Sequence, residues 1–163
     1  MLATRLLRSK FMVGISVRDV AGSTLALRKA IRMAHGEDEV IAIHVPKKVT
    51  EMLLTSMSDP SDADEATMET FSKMPLAAGE NLQKKIKATA EKEMMKLKKT
   101  VKMSYKMNPP ASDVKIALAE AGRSAKIDML FLGPGVSGNG GIPAFLVQRV
   151  KGYTVCVVRD HIE

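Results

Sequence analysis

Two apolar runs flanking a glycine-rich loop near the end of the chain constrain its fold more than any other feature. Residues 127–160 read IDMLFLG, PGVSGNGG, IPAFLVQRVKG and YTVCVVRD. Short runs dense in Leu, Phe and Val, separated by a segment with helical spacing, are what parallel strands covered on both faces require. A glycine-rich connection that follows such a strand and opens a helix is where an open α/β sheet holds an anion, because the first amides of the helix lack partners. Gly133 to Gly141 is therefore the candidate site. A plain surface turn is the alternative reading of the same glycines.

The rest of the chain repeats this alternation. Lys10 to Val17, KFMVGISV, reads as a central strand. Ser23 or Thr24 can cap the helix that follows, with Leu27, Ala30, Ile31 and Ala34 on one face and Arg28, Lys29 and Arg32 turned outward. His35 and Gly36 end that pattern, and EVIAIHV, Glu39 to Val45, is the second strand, closed by Pro46. Residues 49–78 form an acidic segment placed outside the sheet, with a short helix expected over 66–74. Its acids lack the spacing and the twelfth-position glutamate of a calcium loop. Asn81 is expected to cap a long helix striped by Leu82, Ile86, Ala90, Met94 and Leu97. Val101, Met103, Tyr105 and Met107 then alternate with polar residues, the pattern of a one-sided edge strand. Ser112 can cap a third helix that gathers Val114, Ala117, Leu118 and Ala121, with Gly122 weakening or ending it. The expected fold is α/β: a doubly wound five-stranded parallel sheet built from residues 11–17, 39–45, 100–107, 127–132 and 153–158.

Length and composition set further bounds. With 163 residues, 45% of them apolar, the chain is expected to form one domain over 1–163 with its core in about 11–159. The single cysteine, Cys156, excludes an internal disulfide framework. No apolar stretch reaches membrane-spanning length, so a soluble, cytoplasmic protein with no membrane partner is expected. The basic, acid-free start MLATRLLRSK offers organellar targeting as the alternative location. The formal charge of +7 is patterned: residues 1–48 carry nine Lys or Arg against four acids, 79–107 nine against three, and 49–78 one against six. The absence of Trp, the scarcity of Tyr and Phe and the lack of a reader motif argue against a dedicated nucleic-acid surface. His35 has no partner at metal-ligand spacing. His44, at the C-terminal end of its strand, has no neighbouring nucleophile and orienting acid. No catalytic residue and no metal ligand is assigned, and a binding domain is favoured over an enzyme.

The residues ASDVKIALAEAGRSAKIDMLFLG, the glycine loop and YTVCVVR resemble the C-terminal half of the universal stress protein domain, in which a helix leads to an Ala-Asp-aliphatic strand ending in glycine. The opening strand, ALRKAIRMA and VIAIHV resemble its N-terminal half. This resemblance covers most of residues 11–159. It implies an adenine-nucleotide alpha-hydrolase-like sheet of order 3-2-1-4-5, frequent homodimers, and membership of one of two branches, one binding ATP and one lacking that activity. The ATP branch has a signature of Gly, two residues, Gly, nine residues, then Gly followed by Ser or Thr. Here Gly133 matches the first glycine and Gly141 the last, but seven residues separate them, Val136 replaces the second glycine, and Ile142 replaces the hydroxyl residue. The family's first-strand acid, near the ribose, has Ser16 closest in register and Asp19 three residues beyond.

The glycines Gly133, Gly135, Gly138, Gly140 and Gly141 retain the potential for a backbone amide cradle, and Ile142 contributes an amide but no hydroxyl. The resemblance implies ATP or another adenine nucleotide there, with Ser16, Val17 and Ile43 bordering base and sugar, and magnesium only alongside bound nucleotide. It also implies pairing of the last strand with its copy, through Tyr153, Val155 and Val157. A structural or signalling dimer in a stress response, without a small ligand, is the competing reading.

Overall fold

In the computed structural model, residues 8–48, 65–135 and 141–159 are described, without the side chains of 65–75. In chain order the elements are β1 (Lys10–Ile15), α1 (Val20–Met33), β2 (Glu39–His44), α2 (Glu65–Leu97), β3 (Lys102–Met107), α3 (Val114–Ala125), β4 (Met129–Leu132), α4 (Ile142–Arg149) and β5 (Thr154–Val157). The five strands form one sheet of order β3-β2-β1-β4-β5, parallel throughout. This is the expected doubly wound order, with β1 at the centre and β3 and β5 at the edges.

Strand alternation divides the core in two. Phe11, Val13, Ile15, Val40, Ala42 and Phe131 point to the face covered by α1 and α2, where they meet Leu27, Ile31, Leu82 and Ile86. Met12, Ile41, Ile43, Leu130 and Leu132 point to the other face and meet Leu118 of α3 and Leu146 of α4. Because the central strands are covered twice, they read as unbroken apolar runs, whereas the edge strand β3 alternates. Phe11 and Phe131 pack edge to face, 5.5 Å between centroids, across the β1–β4 junction. At the N-terminal end of the sheet two carboxylates hold the chain. Asp128 accepts from the Lys10 amide at 2.7 Å, and Asp38 accepts from the Ser9 and His35 amides at 2.8 and 2.9 Å.

Several helix limits differ from the sequence reading. Asp19, not Ser23 or Thr24, caps α1, its carboxylate accepting from the Gly22 amide at 2.9 Å. Ser23 is buried one turn inside and its hydroxyl links the Ser16 amide to the Asp19 carbonyl. Asp113, not Ser112, caps α3, accepting from the amides of Lys115 and Ile116. In both cases the carboxylate one turn before the buried stripe reaches more orphan amides than the hydroxyl proposed for the role. Gly122 does not end α3, which runs three residues further. It lies inside the helix as the seat of Tyr153, whose ring a Cβ there would meet at 2.8 Å.

A continuous α2 replaces the expected short helix and the later one capped by Asn81, which lies exposed within it. Residues 49–64 of the acidic segment lie outside the described residues, and 65–78 belong to α2. Leu82, Ile86 and Ala90 are buried as the stripe requires, but Leu97 is 37% exposed. In its place Glu93 is buried, held between Arg32 at 2.9 Å and Arg28 at 3.8 Å from α1.

Candidate functional site

The chain crosses from one half of the sheet to the other between β1 and β4, and the loops leaving these two strands diverge toward opposite faces. Such a switch point opens a crevice outside the carboxyl ends of the strands. Three backbone segments converge on it. After β1 the chain turns tightly from Ser16 to Asp19, with the Asp19 amide donating to the Ser16 carbonyl and the Arg18 amide to the Ser16 hydroxyl. After β4, Gly133 lies against the start of α1 so closely that a Cβ would stand 2.5–2.8 Å from the backbone of Gly22. Gly135 then takes a φ of +79°, which glycine alone adopts without strain, and approaches Pro143 at the start of α4.

Asp19 ties these segments together. One carboxylate oxygen accepts from the Gly22 amide, and the other accepts from the Gly135 amide at 3.1 Å. The start of α4 has no such partner: Gly141 is its N-cap and supplies no side-chain hydrogen bond. Ile142 brings an amide there, but Pro143, in the first turn, brings none. The switch point thus combines one helix start already met by a carboxylate with a second that no side chain caps.

Of the residues singled out in the sequence, the structure brings together Ser16, Gly133, Gly135, Gly141 and Ile142 at the β1 and β4 ends. Gly138 and Gly140 lie outside the described residues. Val17 is 44% exposed in the Ser16–Asp19 turn. Ile43 is buried on the α3 side, where with Met12 it forms the floor of a separate groove of about 560 Å³ rimmed by Lys106, Asn108, Glu120 and Ser124. Tyr153, Val155 and Val157 lie on or beside the β5 edge. The Tyr153 hydroxyl donates to the Ala119 carbonyl at 3.0 Å, and Val155 packs into the core beside α3 and α4, so two of the three side chains are engaged within their own subunit. The roles of Asp19 and Gly22 escaped the sequence reading, although Asp-Val-Ala-Gly ahead of an apolar helical stripe is the spacing of a carboxylate cap. Among the described residues, no group of three His, Cys, Asp or Glu could hold a metal ion, and no helix is long and apolar enough to cross a membrane.

His44 ends β2 on the side of the sheet that α2 covers. It is 5% exposed, its Nδ1 donates to the Ile15 carbonyl at 3.1 Å, and α2 approaches it at Gly79. Burial pushes its pKa below the ordinary 6.5, against a smaller upward pull from the Ile15 carbonyl. The folded chain therefore holds His44 neutral, while the unfolded chain protonates more readily. Its contribution to stability is complete above pH 6.5 and is lost as pH falls through the lowered folded value. Urea unfolding across this range is expected to show a slope of up to about 1.4 kcal/mol per pH unit that His44→Gln removes. Equal slopes in the two proteins would exclude this role.

The fold defines a class: a doubly wound domain whose switch point gathers glycine backbone and two helix starts. Solved structures of universal stress proteins share this fold over nearly the whole chain. One, in complex with cAMP, has a TM-score of 0.62 at 19% identity, covering 93% of this chain and 97% of that one. A universal stress protein from Lactobacillus plantarum gives 0.64 at 14% identity, with coverages of 93% and 97%. A family protein from Arabidopsis thaliana with AMP bound gives 0.60 at 13% identity, with coverages of 93% and 92%. A scan against protein-family models and a search of curated proteins find no match. The chain has the universal stress protein fold, adenine-nucleotide alpha-hydrolase-like with strand order 3-2-1-4-5, as the sequence resemblance implied.

Proposed function

We propose that this chain is a binding domain for an adenine nucleotide, held at the carboxyl ends of β1 and β4. The observation that carries this reading is the convergence of Gly133 and Gly135 with the starts of α1 and α4 at the switch point of the sheet. Backbone amides at a helix start favour phosphate through their partial positive charge, and glycine lets the ligand approach the chain closely. The uncapped amide of Ile142 is the first donor available to it. The turn from Ser16 to Val17 borders the sugar and base, whereas Ile43 faces the separate groove beside α3 and takes no part in this reading. Similar folds with cAMP and AMP bound support the choice of ligand. ATP is the fuller ligand in this reading, with magnesium entering only on its phosphates. Calorimetric titration with ATP, ADP and AMP, with and without magnesium, is expected to give saturable binding. Absence of heat at millimolar nucleotide would overturn the reading.

The competing reading is a homodimer in a stress response that takes no small ligand, and the exposed β5 edge favours it. Thr154 and Val158 donate their amides to β4, so by alternation the amides of Val155 and Val157 point away from the sheet and are free to pair with a copy. Val157→Pro removes one outward donor without touching the β4 ladder. Sedimentation is expected to give twice the chain mass of 17.7 kDa for the wild type and the single mass for the variant, with circular dichroism unchanged. A monomeric wild type at high micromolar concentration would exclude the dimer.

A further inference from the structure

We propose that Asp19 governs how strongly the site accepts phosphate, because its carboxylate is a tethered anion occupying two of the amides a phosphate would use. This rests on the nucleotide reading above and adds a charge rule to it. Both carboxylate oxygens are engaged: one by the Gly22 amide at 2.9 Å, the other by the Gly135 amide at 3.1 Å. These donors belong to different elements, α1 and the loop after β4, and they stay together because Gly133 is packed against the Gly22 backbone. Gly135 itself has a φ of +79°, a conformation that glycine adopts without strain. A free anion arriving here meets the same donors and finds them taken. It also meets a like charge at hydrogen-bond distance, which disfavours it further. A phosphate that adds the Gly135 amide to the uncapped amide of Ile142 does so at the cost of moving Asp19 off it, whereas a nucleoside, lacking the phosphate, avoids that cost. The consequence is a bias against charge on the ligand that is written into the α1 cap.

Asp19→Asn and Asp19→Ser remove the charge while keeping residues that cap helices well, so α1 is retained. In Asp19→Ser the side chain is also too short to bridge Gly22 and Gly135. The AMP-to-adenosine affinity ratio, measured by calorimetry, is expected to rise about tenfold or more in both variants, the scale of one charge-assisted hydrogen bond regained. A second titration uses inorganic phosphate alone, at ionic strength matched with chloride, and follows the Gly22 and Gly135 amide resonances. These are expected to move with phosphate in the variants at concentrations that leave the wild type unchanged. An unchanged or lowered ratio, together with amides as unresponsive in the variants as in the wild type, overturns the proposal. Failure of every adenine compound to bind any of the three proteins overturns the nucleotide reading instead. The phosphate titration then still decides for or against Asp19: a response in the variants alone sustains it, and no response rejects it.

Discussion

Gly133→Ala is expected to destabilise the protein by about 2 kcal/mol or more, although alanine suits most backbone conformations better than glycine. Two effects compete. Restricting the unfolded chain favours alanine by about 0.4–1 kcal/mol wherever the native conformation tolerates it. Against this, the new methyl would stand 2.5–2.8 Å from the backbone of Gly22, inside van der Waals contact. The obstacle is the main chain of α1, which cannot rotate away as the end of a side chain can. Overpacking of this kind costs about 1–3 kcal/mol and occasionally more, so the clash wins. Relief comes only by moving the loop off α1, which also lengthens the bond from Gly135 to Asp19. The melting temperature is expected to fall by roughly 4–8 °C, at about 2–4 °C per kcal/mol for a chain of this size. Urea unfolding followed by circular dichroism measures the loss, and an unchanged midpoint would show that Gly133 is not a close-packed contact.

Arg32→Ala is expected to cost about 2 kcal/mol, and the loss is expected to disappear in the double variant Arg32→Ala, Glu93→Met. Glu93 keeps only 5% of its side chain exposed, whereas Arg32 and Arg28 are 53% and 44% exposed. The pair is therefore asymmetric: the carboxylate has surrendered its water and the guanidinium has not. Removing Arg32 leaves a buried charge with Arg28 at 3.8 Å as its remaining ion-pair partner. For a fully buried pair the cost of losing one partner is about 3–5 kcal/mol, and solvent around the arginine reduces it here. Methionine at 93 matches the apolar neighbours on the stripe, with Ile86 and Ala90 fully buried, and has no charge to strand. Equal instability of the single and double variants would mean that Arg32 acts through packing of its own stem and not through Glu93.

The sheet was legible in the sequence because parallel strands covered on both faces carry apolar runs that few other elements imitate. KFMVGISV, EVIAIHV and IDMLFLG each became a central strand, with the ends shifted by up to two residues. The alternation of Val101 to Met107 placed β3 at an edge for an equally direct reason. Caps were less legible, because Asp19, Ser23 and Thr24 can all serve a helix start. The choice among them depends on where the preceding strand delivers the chain. Glu93 was readable in principle, since it falls seven residues after Ile86 and three after Ala90, on the apolar stripe. Its partners were not, because Arg28 and Arg32 look like ordinary solvent-facing residues until α1 and α2 are packed together. The candidate site was half visible. Glycine spacing marked Gly133 and Gly135, but the carboxylate that meets the Gly135 amide comes from 116 residues earlier in the chain, a distance that no local pattern spans.

Mapping the backbone amide resonances during titration with AMP decides whether the proposed nucleotide sits at the carboxyl ends of β1 and β4. Saturable shifts are expected at Ser16 and Val17, at Gly133 and Gly135, and at Gly141 and Ile142, with β3 and β5 unmoved. No shifts at millimolar AMP, or shifts gathered instead around Asn108, Glu120 and Ser124 in the groove beside α3, would contradict that placement.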